Sequence, residues 1–151
     1  MKQAVGILAL AGAVFFGYRW FGGHQAQSTF EKFADAWATD DVAGAKKYGD
    51  ADTATRAFGK QSLRGLQSGA IIEAFRGTRY VFESTTRSEN GDIALEVMQT
   101  IQFDPPGVTS AIMGAMYTHI HHSATVRKTP QGWKVVSFEA KFMDMGEMRR
   151  R

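Results

Sequence analysis

A chain of 151 residues leaves room for one ordinary domain once an apolar N-terminal segment is set aside, and hydrophobic and aromatic shares of 44% and 12% suit a chain that buries a core. With Lys2 and Arg19 assigned to that segment, 16 basic against 15 acidic residues leave the rest nearly neutral, which argues against a nucleic-acid partner. Zero cysteines exclude disulfides, thiolate nucleophiles and cysteine metal sites together, and leave the compartment open.

From Ala4 to Tyr18 there is no charge, and Arg19, Trp20 and Phe21 follow. This run is near the lower limit of the ~20 residues that cross a hydrocarbon core. Tyr18, Arg19, Trp20 and Phe21 have the composition of an interfacial belt with a snorkelling cation. The reading is a signal-anchor: residues 1–23 as membrane anchor, with a transmembrane helix over about 4–21. The rival is a cleaved signal peptide, since Ala11-Gly12-Ala13 has the small-x-small form that a signal peptidase accepts. Cleavage there interrupts an apolar run that continues through Val14-Phe15-Phe16. The flanking charges discriminate weakly, the amine and Lys2 on one side facing Arg19 and Lys32 on the other; the preferred reading is a single-pass arrangement with a short stub inside and the domain on the extracytoplasmic, periplasmic side. Ala9, Ala13 and Gly17 recur every fourth residue, the small-xxx-small pattern that lets two helices approach closely, although Ala and Gly are also simply common here.

Residues 24–151 read as a soluble α+β domain with a short basic tail, Arg149-Arg150-Arg151. Gly22-Gly23 is expected to break the first helix, and Ser28 with Glu31 to cap a second whose stripe is Phe30, Phe33, Ala34 and Trp37. Asp40-Asp41 starts a short helix through Val42, Ala45 and Tyr48. Asp52 is expected to cap another, from Thr53 to at least Leu66 with Phe58 and Leu66 inward. From Thr78 the period becomes two, and Glu89-Asn90-Gly91-Asp92 signals a type I′ hairpin. Counting back from Glu89 opposite Asp92 sets Phe82 against Gln99, Ser84 against Val97 and Tyr80 against Ile101. Tyr80 and Phe82 then share a face with Leu95, Val97, Ile101 and Phe103. Asp104-Pro105-Pro106-Gly107 ends that strand. A Met-rich stretch from Val108 to Met116 precedes a last hairpin around Thr129-Pro130-Gln131-Gly132, in which Ile120, His122, Ala124 and Val126 face Val136, Phe138 and Phe142.

Helices followed by a meander of long strands make an α+β plan in which the helices cover one sheet face. In the opening Phe30-Glu31-Lys32-Phe33-Ala34-Asp35-Ala36-Trp37, the following Asp40-Asp41-Val42-Ala43-Gly44-Ala45 and the closing Thr129-Pro130-Gln131-Gly132-Trp133-Lys134-Val135-Val136, the chain resembles the nuclear transport factor 2-like superfamily. That is the cone-shaped fold shared with ketosteroid isomerase and scytalone dehydratase. The resemblance implies a curved sheet that forms a pocket with its helices, and a sheet through which two copies can pair. Its members range from isomerases and dehydratases to binding modules and membrane-anchored scaffolds, so fold alone does not fix function. The isomerase pattern of carboxylate base, Tyr and acid, and the dehydratase pattern of His with carboxylates and tyrosines, do not map residue by residue onto this chain.

Among single residues, alternation points His122 inward, where an imidazole serves as acid or base or else as a core histidine bonded to a neighbour. Tyr80 is the donor to place beside it, with packing as its plain explanation. His119 and His121 share the opposite face at a spacing that presents two imidazoles to one metal, but no third ligand follows, so surface histidines are the simpler reading. There is no phosphate loop, nucleophile elbow or set of carboxylates at metal spacing, and no cofactor is expected. Met113, Met116, Met143, Met145 and Met148 suit either core filling or an adaptable contact. The functional expectation is a membrane-anchored accessory or scaffold subunit that engages a membrane protein complex and the lipid bilayer through its helix and its α+β domain. The alternative is a small-molecule-binding protein or isomerase/dehydratase-like enzyme using the cone pocket.

Overall fold

The computed structural model describes residues 22–59, 75–103 and 116–143. Three helices precede a curved four-stranded antiparallel sheet, an α+β arrangement. Helix α1 is described over residues 22–38, α2 is Val42–Tyr48 and α3 is Ala51–Phe58. The strands are β1 (Phe75–Arg87), β2 (Ile93–Phe103), β3 (Met116–Thr129) and β4 (Gly132–Phe142), in the order β1-β2-β3-β4. Among the described residues no helix is long and apolar enough to cross a membrane. The apolar segment over 4–21, the helix-packing residues Ala9, Ala13 and Gly17, and the interfacial Tyr18, Arg19, Trp20 and Phe21 lie outside the described residues.

The apolar stripe of α1 forms as its spacing dictates: Phe30, Phe33, Ala34 and Trp37 are each at most 1% exposed and lie over the inner face of the sheet. Two expectations about its start fail. Gly22 and Gly23 are helical, and Ser28 lies inside the helix, where no cap is needed. Tertiary contact contributes, because the Trp133 indole N–H bonds Gln25 in the first described turn. The helix ends in a Schellman motif: Asp41 N–H reaches Ala36 C=O at 2.7 Å and Asp40 N–H reaches Trp37 C=O at 3.3 Å, with Asp40 at φ 61°. Asp41 then caps α2, accepting from Gly44 N–H at 2.9 Å, as the sequence led one to expect.

For α3 the cap is Asp50, whose carboxylate accepts from Thr53 N–H at 2.7 Å, and Asp52 sits in the first turn instead. The helix stops at Phe58 with Gly59 as its C-cap, short of the expected Leu66, which lies outside the described residues. Between α2 and α3, Gly49 makes a parallel bridge to Val135, and Asp50 N–H donates to Val135 C=O at 3.0 Å. This link covers part of the open edge of β4.

The first hairpin closes on a three-residue loop and not on the expected two. Ser88 N–H donates to Asp92 C=O at 2.8 Å, Gly91 N–H to Ser88 C=O at 3.0 Å, and Gly91 takes φ 87°, a conformation that suits glycine. Arg87 therefore pairs with Ile93, and Ser84 with Glu96, one residue off the expected register. A bulge between Phe82 and Ser84 adds a second step, so that Phe82 pairs with Val97 and Tyr80 with Gln99. Two single steps restore the parity, which keeps Tyr80 and Phe82 against the core with Leu95, Val97 and Ile101. In the second hairpin Ala124 pairs with Phe138 and Ile120 with Phe142, and a shift between Thr125 and Val126 sets Val126 against Val135. Val135, and not Val136, is the fully buried residue there.

Candidate functional site

The inner face of β2 runs Ile93, Leu95, Val97, Gln99, Ile101, an apolar series interrupted by one amide that is 0% exposed. His122 on β3 interrupts its own series between Ile120 and Ala124 and is equally buried. A polar group buried this way is costly unless it is bonded, so these two residues identify each other as partners. His122 Nε2 lies 2.7 Å from Gln99 Oε1. The Gln99 amide nitrogen in turn donates to Thr78 Oγ1 at 3.1 Å and to the Tyr80 hydroxyl at 3.0 Å. Tyr80 donates to Asp35 Oδ1 on α1 at 2.6 Å.

Proton positions follow from that last bond. A carboxylate only accepts, so the Tyr80 proton points to Asp35 and the phenolic oxygen must accept from Gln99. The Gln99 carbonyl then faces His122, which must be neutral with its proton on Nε2. Thr78, which accepts from Gln99, passes its own proton to Thr100 C=O at 3.4 Å. The result is one directed chain from β3 through β2 and β1 to α1.

Aromatic rings close around the imidazole: Phe138 at 5.1 Å, Phe30 at 5.5 Å and Trp37 at 5.5 Å between ring centres. Trp37 is itself fixed by its indole N–H on Ala57 C=O at 3.1 Å. Burial dominates the chemistry of His122, lowering its pKa to about 3, and the neighbouring His121 pushes the same way. The Glu139 backbone opposes both, without closing a hydrogen bond to Nδ1, which has no partner among the described residues. Burial likewise drives the Tyr80 hydroxyl far above its ordinary range, helped by its bond to Asp35. Glu31, one turn before Asp35 on α1, has its pKa raised, first by burial and then by Asp35. Tyr80 thus keeps its proton and His122 stays a neutral imidazole near neutral pH, with the lone pair on its Nδ1 unused among the described residues.

The structure thus links His122 and Tyr80 through Gln99 instead of placing them in contact. Gln99 and Asp35 carry half of the chain and were not singled out from the sequence. Gln99 was detectable as a polar residue at an inward position of an alternating strand. Asp35, one residue off the apolar stripe, gave no comparable signal.

On the outer face, His119 Nδ1 meets Thr100 Oγ1 at 3.0 Å. His121 Nε2 lies 3.4 Å from Glu83 and 3.3 Å from Glu96, and Ser123 donates to the same Glu96 at 2.7 Å. Each of the two imidazoles is thereby committed to its own neighbours. Both carboxylates lie within ion-pair distance of one imidazole nitrogen, a grouping that spans three strands. No cluster of three or more His, Asp or Glu residues among those described is placed to hold a metal ion. Two clefts open at the end of the sheet bearing the hairpin tips, and neither is lined by Asp35, Tyr80, Gln99 or His122.

Compared with known proteins, the chain matches no family model and no curated protein.

Proposed function

We propose that the chain is a membrane-anchored accessory or scaffold subunit of a membrane protein complex, held by an apolar helix over about residues 4–21, with a nuclear transport factor 2-like domain on the extracytoplasmic side. The observation that carries this reading is the hydrogen-bond chain of the core: Asp35, Tyr80, Gln99 and His122 Nε2 are engaged with one another, and His122, with its pKa near 3, is not protonated at neutral pH. The outer sheet face instead exposes Val81 (46%) and Tyr117 (58%), side chains suited to contact with another protein. Purification of the full-length chain from its native membrane in gentle detergent, followed by mass spectrometry, tests the reading. Membrane partners in fixed stoichiometry are expected, and a lone monomer would overturn it.

A second reading, a small-molecule binder or isomerase/dehydratase-like enzyme, is favoured by the unpartnered Nδ1 of His122. A ligand that donates to this nitrogen would shift its 15N resonance, while the Nε2 resonance, already bonded to Gln99, would move little. No shift with any apolar alcohol or phenol, each of which carries an O–H donor, would remove this reading.

A further inference from the structure

We propose that the end of the sheet bearing the two hairpin tips is a membrane-facing surface that docks on anionic lipid headgroups. This inference rests on the membrane-anchor reading above and assigns a role to the part of the domain nearest the anchor.

Geometry supplies the first step. Helix α1 lies along the inner face of the sheet with its beginning at the tips. Gln25 accepts from the Trp133 indole N–H at 2.9 Å, Gln27 donates to Thr85 at 3.1 Å, and only later does Asp35 meet Tyr80. A Cβ on Gly22 would fall 2.5 Å from the Arg87 guanidinium and 3.7 Å from the Trp133 ring. Phe21 is bonded to Gly22, and consecutive Cα atoms are about 3.8 Å apart, so a spanning segment that ends at Phe21 leaves the bilayer beside Arg87 and Trp133. The tether therefore keeps this end of the sheet close to the headgroups at high effective concentration, where weak contacts suffice.

Charge supplies the second step. A cleft of about 410 Å3 between the tips is lined by Arg87, Arg127, Lys128, Asp92 and Trp133, together with Asn90 and Gly91. A second, of about 590 Å3, lies between the α2–α3 link and the β3–β4 tip and shares Arg127, adding Lys46 and Lys134 beside Asp50. Arg127 and Lys134 are directly paired across the strands, a like-charge placement that is unfavourable without outside compensation. Asp92 answers Arg127 with bonds of 2.9 and 2.7 Å, yet the arginine side chain stays 53% exposed. The Lys134 ammonium donates to the Lys47 carbonyl, a neutral acceptor that leaves its charge in place. Arg87, Arg127, Lys128, Lys134 and Lys46 outnumber Asp50, Glu89 and Asp92 at this end. An anionic leaflet attracts such residues, and Trp133 beside them is an aromatic of the kind found at bilayer interfaces.

The test uses the full-length chain reconstituted in vesicles of phosphatidylcholine alone or with phosphatidylglycerol added. Because the chain has no cysteine, Gln131→Cys gives a single labelling position at the tip, and Glu139→Cys gives one on the outer sheet face as a control. A headgroup-borne quencher should dim the label at 131 in the anionic vesicles, weakly in the zwitterionic ones, and little at 139 in either. Lys128→Gln with Lys134→Gln should lower the docking equilibrium constant by about fivefold per cation removed, read as reduced quenching at 131. High salt should release the tip of the unaltered chain, a readout independent of whether that variant folds. Equal quenching in both lipids, or quenching insensitive to salt, overturns the inference while retention of the chain after an alkaline wash leaves the anchor standing. Complete release by millimolar inorganic phosphate would make the clefts a small-anion site and overturns it too. Loss of the chain from both vesicle types in the wash overturns the anchor reading itself, and this inference with it.

Discussion

The hydroxyl of Tyr80 on β1 donates to the carboxylate of Asp35 on α1 at 2.6 Å, across 45 residues of sequence. This bond fixes the direction of every proton in the chain behind it, because a carboxylate cannot donate. It also ties the helix that leads out of the N-terminal segment to the sheet.

Tyr80→Phe removes the Asp35 bond and one of the two acceptors of the Gln99 amide. A loss of about 1–3 kcal/mol is expected, since a bond to a charged group is lost and a buried N–H is left without a partner. Denaturant unfolding of the variant measures it, and an unchanged midpoint would show the chain to be dispensable.

Gln99→Leu leaves the His122 Nε2–H buried and unpartnered, and should cost about 1–3 kcal/mol. His122→Phe alone strands the Gln99 carbonyl and should cost a similar amount. The double variant should be less destabilised than the sum of the two, because both members of the pair are then apolar. A strictly additive cycle would show that the 2.7 Å contact contributes no coupling.

Acid stability should report His122. Its folded pKa of about 3 lies below the ordinary imidazole value of 6.5, so below pH 6.5 the unfolded chain binds a proton that the folded chain refuses. Stability is therefore intact above pH 6.5 and falls as the pH is lowered toward 3, by about 2 kcal/mol from this group at pH 5. Asp92, whose pKa is lowered first by its Arg127 bond, adds a loss only below its ordinary value of 3.8. Tyr80, with its proton retained by burial, lowers stability above pH 10. Unfolding free energies across pH should thus fall between 6.5 and 4 in the unaltered chain, and that fall should be lost in His122→Phe, where Glu31, its pKa raised by burial, contributes in the opposite direction.

Two glycines separate helix propensity from packing. Gly23 has nothing within 4 Å of an added Cβ and lies in α1, so Gly23→Ala should stabilise by about 0.5–1 kcal/mol. At Gly49 an added Cβ would sit 2.5 Å from the Phe33 ring and 3.1 Å from Ala45 C=O. Gly49→Ala should destabilise by about 1–3 kcal/mol through overpacking. Thermal unfolding of the pair decides, and a destabilising Gly23→Ala would argue that the helix does not pass through that residue.

By itself the sequence determined what nearest neighbours decide. The 3,4 spacing of Phe30, Phe33, Ala34 and Trp37 specified the buried stripe, Asp41 specified the start of α2, and alternation specified which faces of the strands turn inward, His122 included. These are local periodicities, and each follows from geometry within one element. Register was decided by the tertiary structure, because a bulge beside Phe82 and another beside Val126 answer to curvature over the helices and leave no mark in the local pattern. Helix through Gly22 and Gly23 was decided the same way, with Trp133 bonding Gln25 in a turn that propensity alone disfavours. So was the directed chain from His122 to Asp35, whose members are spread over four elements. So too was the meeting of the helix start with the cationic hairpin tips, since residues that lie far apart along the chain come to one end of the sheet only when the strands fold back on each other.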